Sequence, residues 1–548
     1  MPSRLSHGNE RPEEFAQEQP SEKAESDDDA GVPEAEYPSV LIRNIVVSSL
    51  MLAIFLIALD MSIIGTAIPV ITTQFNSMAD AGWYGSAFFL TLTAFISAWG
   101  KAYKHFSLRL VFLLALFIFE AGSLLCALAP NSIALICGRA IQGLGGAGIS
   151  GGSYTITAFV CPPSMQPVVI GLMGSVFTVA SVAGPLLGGA FSSSHLTWRW
   201  SFYINLPIGA VTMFCISVFF RTPKAAKVGH GASTREKVMS FDPLGLVLVF
   251  AAVLCFFLAI QWGGVVYSWS SSVVIGLLVG CVLLSVVFVL NGWFQGDRSL
   301  VVYRLLRRRS IGASAAFIFL NAGNIALQYL LPIYFQAIQG DSPVQSGIKM
   351  IPSILATALA TTLGSAFAGR VMVFQPFLLA AGVIGAVGCG LMLTFDLNPS
   401  LGATIGFQVL FGVGIGIGVQ LPNLVAIVTT TADDVAITIS SVAFFMMLAG
   451  GWGVAVTDAA LNNILLRKVP QYVPGLDGRE VLRVGAAGLQ DAYSGQVLQG
   501  VRQAYLDGIR AGLSLGVASF GVAIACALVP KWPGRLVRPT LHSDGNAM

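Results

Sequence analysis

Long apolar runs recur along almost the whole chain and limit what it can fold into. Each run has about 20 residues, enough for an α-helix to cross the hydrocarbon core of a bilayer. In that core only helices or closed barrels satisfy every backbone hydrogen-bonding group. The runs lie at residues 44–67, 82–100, 110–129, 133–155, 167–190, 201–220, 243–262, 272–294, 311–336, 343–368, 374–396, 400–427, 435–458 and 511–530. We therefore predict an all-α membrane protein with about fourteen transmembrane helices.

The composition excludes several other classes of protein. Of 548 residues, 55% are hydrophobic and 10% are charged, whereas soluble domains average about 25% charged residues. The net charge of +3 does not indicate a nucleic-acid partner. The 5 histidines are scattered, and no phosphate-binding Walker motif or nucleophile with a neighbouring base is present. We expect a lipid bilayer around the chain, and no metal, cofactor, ATP or catalytic residue.

Basic residues are concentrated in alternate loops, which orients the predicted helices. If the N-terminus is cytosolic, the even-numbered loops are cytosolic as well, and cytosolic loops carry an excess of Lys and Arg. The basic residues of these loops and of the C-terminal tail are Lys101, Lys104, Arg109, Arg221, Lys224, Lys227, Arg235, Lys237, Arg298, Arg304, Arg307, Arg308, Arg309, Lys531, Arg535 and Arg538. Both termini are therefore predicted to be cytosolic.

The order of runs and tails predicts five regions. The acidic, polar start of the chain has too little hydrophobic surface to fold, so we expect a disordered cytosolic tail. The predicted regions are this tail at 1–42, an N-terminal six-helix bundle at 43–220, basic loops with an extra helix pair at 221–310, a C-terminal six-helix bundle at 311–530, and a cytosolic tail at 531–548. Within the fourth region, residues 459–510 are predicted to be a long external loop with a short surface helix.

Four charged residues within the apolar runs stand out: Asp60, Glu120, Arg139 and Asp458. A charge at bilayer depth costs several kcal/mol, about 3 on insertion scales, so it marks a candidate functional site. Asp60 lies about 25 Å along its helix from Arg43, past the middle of the membrane. As an alternative to a functional role, Arg139 could form a structural hydrogen bond to a carbonyl or carboxylate. Asp458 could likewise cap the end of its helix at the membrane interface.

These residues predict proton coupling. An apolar environment favours the protonated form of a carboxyl group, and a nearby cation favours the ionised form. A carboxyl group that alternates between them can load and release a proton near neutral pH. We expect Asp60 to carry the proton, Arg139 to bias its release, and Glu120 to relay or balance charge.

Polar side chains at mid-depth are candidates for substrate binding. Gln142, Gln336, Gln420 and Asn423 have amides that could bond a bulky, mostly apolar ligand, although amides on membrane helices also serve packing alone. Asp458 is a further candidate.

The fifth run combines small residues with a proline: Gly184, Pro185, Gly188 and Gly189. Proline in a helix interior removes a hydrogen bond, and small residues let helices approach closely. The pattern predicts tight packing, a hinge or seal between two halves of the protein, or both.

Several of these segments resemble the fourteen-spanner drug:proton antiporter family of the major facilitator superfamily, in order along nearly the whole chain. Leu59 to Pro69 resembles the first-helix motif, and Gly138 to Gly143 resembles the fourth-helix motif. Gly184 to Gly189 resembles the antiporter motif of the fifth helix, and Trp198 to Gly209 resembles the start of the sixth. The resemblance implies that Asp60 is linked to proton coupling and that Arg139 assists proton transfer.

Other stretches resemble the fungal branch of that family. They are Phe119 to Cys126, Leu331 to Gly340 and Gln345 to Gly347. Members of this branch export toxins and other secondary metabolites or confer drug resistance. One departure is the loop Gly100 to Arg109, which lacks the acidic residue usual in the family and so weakens the expectation of a gating ion pair there.

We predict a proton-coupled exporter of small, mostly apolar organic molecules, driven by the proton gradient. Two six-helix bundles with an extra helix pair would alternate access to a site between them. The expected location is the plasma membrane, with a vesicle or vacuolar membrane as the alternative. One rival is a siderophore or nutrient importer, which the Gly184-Pro185 motif disfavours. Another is a membrane sensor or integral membrane enzyme, for which the chain shows no large soluble domain or catalytic cluster.

Overall fold

A computed structural model describes residues 37–77, 80–223, 240–264, 266–324 and 327–528. Of the predicted disordered tail at 1–42, residues 1–36 lie outside the described ranges. The predicted C-terminal tail at 531–548 lies outside them entirely. Part of the basic loop after the sixth run, residues 224–239, also lies outside.

Regular structure within these ranges is helical, apart from one isolated bridge between Gly263 and Tyr267. The helices of the first half are Val40–Phe75 (α1), Ala81–His105 (α2), Leu108–Leu128 (α3), Ser132–Val160 (α4), Gln166–Ser193 (α5), Trp200–Tyr203 (α6), Asn205–Phe219 (α7), Pro243–Trp262 (α8) and Ser272–Gln295 (α9). Those of the second half are Tyr303–Leu306 (α10), Arg309–Gly323 (α11), Leu327–Ala337 (α12), Pro343–Lys349 (α13), Ile351–Val371 (α14), Gln375–Met392 (α15), Leu401–Val419 (α16), Leu421–Thr429 (α17), Ala432–Tyr472 (α18), Gly478–Ala492 (α19) and Gly495–Leu528 (α20).

The predicted all-α membrane fold is confirmed. Among the described residues, 13 helical spans are long and apolar enough to cross a membrane. The predicted run at 311–336 is not among them, because it contains two shorter helices, α11 and α12. Residues 325–326 between these helices lie outside the described ranges. Each of the fourteen apolar runs therefore contains helix.

The structure differs from the predicted external loop at 459–510, which is helical over most of its length. Helix α18 continues to Tyr472, α20 begins at Gly495, and α19 lies between them. The extension is stable because Leu461, Leu465 and Val469 recur at helical spacing and are buried in one core cluster with residues of α20. The polar residues between these positions lower the local hydropathy, so a search for fully apolar runs misses the extension.

Close packing of α3 on α4 depends on glycine. A Cβ atom on Gly122 would lie 2.5 Å from the backbone nitrogen of Gln142, and one on Gly145 would lie 2.6 Å from the carbonyl oxygen of Ala115. Small residues permit this approach of two backbones in a membrane protein. The contact sets the position of Gln142 relative to α3.

The predicted extra helix pair, α8 and α9, is joined at one end by a buried carboxylate. Asp242 caps α8 by accepting a hydrogen bond from the Gly245 nitrogen at 2.9 Å. It also accepts from the Asn291 Nδ2 atom of α9 at 3.0 Å. At the other end, Gln261 of α8 bonds the Gly82 carbonyl of α2 at 3.4 Å. The turn after α8 reaches α18, where Trp269 bonds Asn463 at 3.0 Å. The pair thus contacts helices of both bundles.

Replacing Gly122 with alanine tests the packing of α3 on α4. We expect Gly122→Ala to lower the thermal-unfolding midpoint by several degrees, because overpacking costs about 1–3 kcal/mol. Gly276→Ala is the matched control, since a Cβ atom there meets no atom within 4 Å. Its midpoint should be unchanged or slightly higher. Equal midpoints for the two purified variants in the same detergent would contradict the packing described.

Candidate functional site

A buried ion pair lies inside the N-terminal bundle. Asp60 of α1 and Arg139 of α4 are both fully buried, and the Nη1 atom of Arg139 donates to the Oδ2 atom of Asp60. The Nε atom of Arg139 donates to the Tyr84 carbonyl at 2.8 Å. Its guanidinium group also lies over the Phe88 ring, 4.5 Å from the ring centre. Arg139 therefore bonds both a carboxylate and a carbonyl, and these are the two kinds of partner that the sequence suggested for a structural role.

Three neutral polar side chains complete the cluster. The Nε2 atom of Gln142 donates to Asp60 Oδ1 at 2.6 Å and to Ser123 Oγ at 3.0 Å. The Nδ2 atom of Asn205 donates to the same two oxygens, at 3.3 Å and 2.8 Å. Gln142 also accepts a hydrogen bond from Arg139 at 2.8 Å. The carboxylate of Asp60 therefore has donors at both oxygens.

Glu120 is buried beside this cluster but is not part of its hydrogen-bond network. It lies on α3 about one helical turn before Ser123, a member of that cluster. Neither carboxylate oxygen of Glu120 has a hydrogen-bond partner among the described residues. Its side chain packs against α7, where a Cβ atom on Gly209 would lie 2.9 Å from Glu120 Cγ. Glu120 is thus a second buried carboxyl group, and unlike Asp60 it forms no ion pair with a described residue.

The structure separates the predicted amide residues. Gln142 belongs to the cluster around Asp60. The Nε2 atom of Gln420 donates to the Tyr154 hydroxyl of α4 at 3.0 Å, and Asn423 donates to Gln420 at 3.0 Å. The hydrogen bond between Gln420 and Tyr154 therefore joins the two bundles. Gln336 lies half-buried on α12, and within the described part of the chain no hydrogen bond joins it to the others.

Asp458 does not cap a helix, contrary to one interpretation of the sequence. It lies inside α18, which continues to Tyr472. Its Oδ2 atom accepts a hydrogen bond from Asn462, one helical turn later, at 3.0 Å. The extension of α18 by residues that pack on α20 explains why this position is not a helix end.

The glycine-proline motif of α5 packs directly on α1, close to Asp60. A Cβ atom on Gly184 would lie 2.8 Å from the Ile63 nitrogen, and one on Gly188 would lie 2.5 Å from the Ile63 carbonyl oxygen. Pro185 and Gly189 are on other faces of α5; a Cβ atom on Gly189 would meet nothing within 4 Å. Of the three glycines of the motif, Gly184 and Gly188 therefore make the close contact with α1.

The two bundles also meet at the ends predicted to be cytosolic. Lys104 of α2 pairs with Asp434 of α18 at 3.4 Å. Arg304 of α10 pairs with the same carboxylate at 3.0 Å. Although the loop after α2 lacks the acidic residue usual in the family, an ion pair between the bundles is present, with the acid supplied by α18.

Sequence reasoning missed Ser123 and Asn205 as members of the site. Both are fully buried and bond the cluster around Asp60. They occur in the stretches that carry the family resemblance. However, one small neutral side chain hardly changes the mean hydropathy of an apolar run, so it does not stand out as a charged residue does. A polar residue in every neighbouring helix at one depth is the pattern that could have indicated them.

A helical membrane protein with two bundles and a charged pair in its interior has the architecture of a transporter. Residues 50–455 match the model of the Major Facilitator Superfamily, and the chain belongs to this family of multi-pass membrane transporters, which bind small molecules. It is accordingly a transporter rather than an enzyme.

Similar proteins occur in fungi. The chain is 41% identical over 520 residues to "MFS-type transporter thnB" of Trichoderma harzianum, covering 94% of this chain and 89% of that one. It is 38% identical over 499 residues to "MFS-type efflux pump MFS1" of Arthroderma benhamiae, covering 90% and 93%. It is also 38% identical over 499 residues to "Probable efflux pump gsfJ" of Penicillium aethiopicum, covering 91% and 89%.

Solved structures show the same fold. The human organic anion transporter MFSD10 (TETRAN) aligns with a TM-score of 0.57 at 14% identity, covering 88% of this chain and 99% of that one. A bacterial homologue of the human lysosomal transporter Spinster aligns with a TM-score of 0.52 at 19% identity, covering 89% and 97%.

Alanine substitutions in α5 test the contact with α1. We expect Gly184→Ala to reduce transport by about tenfold or more, because the added methyl group meets the backbone of α1 and overpacking costs about 1–3 kcal/mol. Gly189→Ala is the control, with open space around its Cβ atom. Transport of a fluorescent substrate is compared at matched amounts of protein in the membrane. Equal activity of the two variants would show that the close contact is not needed.

Proposed function

We propose that the protein is a proton-coupled efflux transporter for small, mostly apolar organic molecules such as toxins, secondary metabolites or drugs. The observation that carries this proposal is the buried pair of Asp60 and Arg139 in a bundle of membrane-spanning helices. The energy source is the proton gradient, without ATP or a cofactor. We place the protein in the plasma membrane, with a vesicle or vacuolar membrane as the alternative, and both termini in the cytosol.

The surroundings of Asp60 suit reversible binding of a proton. Its ionised form is stabilised by Arg139 and by the amides of Gln142 and Asn205. Transfer of charge into an apolar medium is costly, so removal of any of these donors favours the protonated form. A small movement of α1 relative to α4 would therefore change proton affinity. We propose that Glu120, about one helical turn from Ser123 on α3, relays a proton or balances the charge.

Helix packing connects this site to the interface between the bundles. Asp60 lies less than one helical turn before Ile63, which contacts Gly184 and Gly188 of α5. Farther along α5, Ser175 bonds Thr362 of α14 at 2.7 Å across the interface. Proton binding at Asp60 can thus shift α5 against the other bundle. In the cycle we propose, a proton taken from outside favours return to the inward-facing state, and its release accompanies substrate binding.

The apolar character proposed for the substrate is supported by aromatic residues of the C-terminal bundle. Phe319 of α11 and Trp452 of α18 are half-buried, with ring centres 5.7 Å apart. The indole Nε1 atom of Trp452 has no hydrogen-bond partner among the described residues. We propose that an acceptor group of the substrate bonds this nitrogen while its apolar part packs against the two rings. Gln142, Gln336, Gln420, Asn423 and Asp458 are the other substrate-binding residues that we propose.

The direction of transport is supported by the relatives named efflux pumps and by the glycine-proline motif of α5. An importer is the alternative. Substrate that accumulates in expressing cells, instead of leaving them, would favour that alternative.

Export from yeast cells that lack their own drug pumps tests the proposal. Cells are loaded with fluorescent drugs and fungal metabolites, and efflux is followed with and without a protonophore. We expect Asp60→Asn to abolish protonophore-sensitive efflux, because the amide cannot ionise. Asp60→Glu, which keeps a carboxyl group, should retain part of the activity.

Folding has to be controlled, because Asp60→Asn leaves a buried cation without its counter-charge, and breaking a buried pair costs about 3–5 kcal/mol. Size-exclusion profiles of the purified variants serve this purpose. Full activity of a folded Asp60→Asn variant, or efflux of the wild type that ignores the protonophore, would refute proton coupling at this residue.

A further inference from the structure

A strongly basic rim connects the extra helix pair to the C-terminal bundle. Residues 296–310 contain five arginines and one aspartate. They follow α9, a helix of 24 residues that is about 36 Å long at 1.5 Å per residue. A helix of that length crosses the hydrocarbon core, about 30 Å thick, so the rim lies at the level of the lipid headgroups. The positive-inside pattern assigns this end to the cytosolic side.

The rim is folded onto the rest of the protein. Asp242, the cap of α8, accepts a hydrogen bond from the Leu300 nitrogen at 3.2 Å and from Gln295 at 3.3 Å. Leu300, Val301 and Leu305 are buried. The arginines between and after these residues are therefore held at defined positions on the surface.

Two of the five arginines are bonded within the protein. Arg304 pairs with Asp297 at 3.1 Å and with Asp434, and Arg308 donates to the Thr429 carbonyl at 3.1 Å. The other three, Arg298, Arg307 and Arg309, are exposed and form no ion pair with the described residues. Three positive charges of this rim thus have no ion-pair partner among the described residues.

Aromatic side chains mark the membrane boundary beside these charges. Trp293 and Phe294, at the end of α9, are 72% and 87% exposed. Tryptophan, whose ring is amphipathic, is enriched at the interface between hydrocarbon and headgroups. The guanidinium group of Arg307 lies over the Trp293 ring, 5.9 Å from its centre. A phospholipid whose acyl chains pass along α9 would place its phosphate among these arginines.

We propose that Arg298, Arg307 and Arg309 bind the headgroup of an acidic phospholipid in the adjacent leaflet. Arginines near an anionic membrane surface attract acidic headgroups, and a basic rim at the end of a membrane helix is typical of such binding. Arginine also binds phosphate through paired hydrogen bonds. The bound lipid contacts the segment that supplies Arg304 to the Asp434 ion pair between the bundles. The inference does not depend on proton coupling or on the substrate.

Native mass spectrometry of the full-length protein tests lipid binding directly. The protein is purified in detergent with a mixture of phosphatidylserine and phosphatidylcholine, and the retained lipids are counted. The test variant is Arg298→Gln/Arg307→Gln/Arg309→Gln. The control variant is Arg467→Gln/Arg479→Gln/Arg483→Gln, which removes the same charge from exposed arginines of α18 and α19 that form no ion pair with described residues.

We expect the wild type and the control variant to retain phosphatidylserine in preference to phosphatidylcholine. The test variant should lose this preference by about tenfold or more, while its size-exclusion profile stays that of the wild type. An equal loss in both variants, or no loss in the test variant, would overturn the proposal. Complete competition by millimolar inorganic phosphate would also overturn it, because the site would then bind phosphate and not lipid.

Discussion

A carboxylate and a guanidinium group buried between helices are costly to place in a membrane, and many features of the N-terminal bundle serve to hold them there. Removing such charges from water costs several kcal/mol per ion unless the remaining hydrogen-bonding groups find partners. Asp60 receives donors at both oxygens, and Arg139 is shared between a carboxylate, a carbonyl and an aromatic ring. The pair is thus stable only while α1, α2, α4 and α7 keep their relative positions.

Glycine residues make these positions possible and link them to the rest of the molecule. Gly122 brings Gln142 close to α3, while Gly184 and Gly188 bring α5 onto α1 beside Asp60. Because α5 also bonds α14, direct packing connects the helix that bears Asp60 with the boundary between the bundles. At the end predicted to be cytosolic, the Asp434 ion pairs add a second connection. Protonation and rearrangement of the bundles are therefore physically coupled in our account.

The sequence was sufficient for the class of fold and for the charged centre of the site. Runs of about 20 apolar residues determine helices in lipid, and Asp60 and Arg139 are conspicuous because charge is rare there. Ser123 and Asn205 could not be found in this way, since small neutral residues are common in membrane helices. The extension of α18 was missed because its buried face is narrow and its other faces are polar. The ion pairs of Asp434 depend on contacts between distant segments, which hydropathy does not reveal.

Proton movement by purified protein in liposomes tests the central claim most directly. A pH-sensitive dye is enclosed in the liposomes, and a concentration gradient of a transported substrate is imposed across their membrane. The liposomes contain no other protein or ionophore that moves ions. Our account predicts that the wild type moves protons against the direction of substrate flow, and that Asp60→Asn liposomes show no substrate-dependent pH change. Substrate transport by the wild type without any pH change would contradict the account, as would an undiminished pH change in Asp60→Asn.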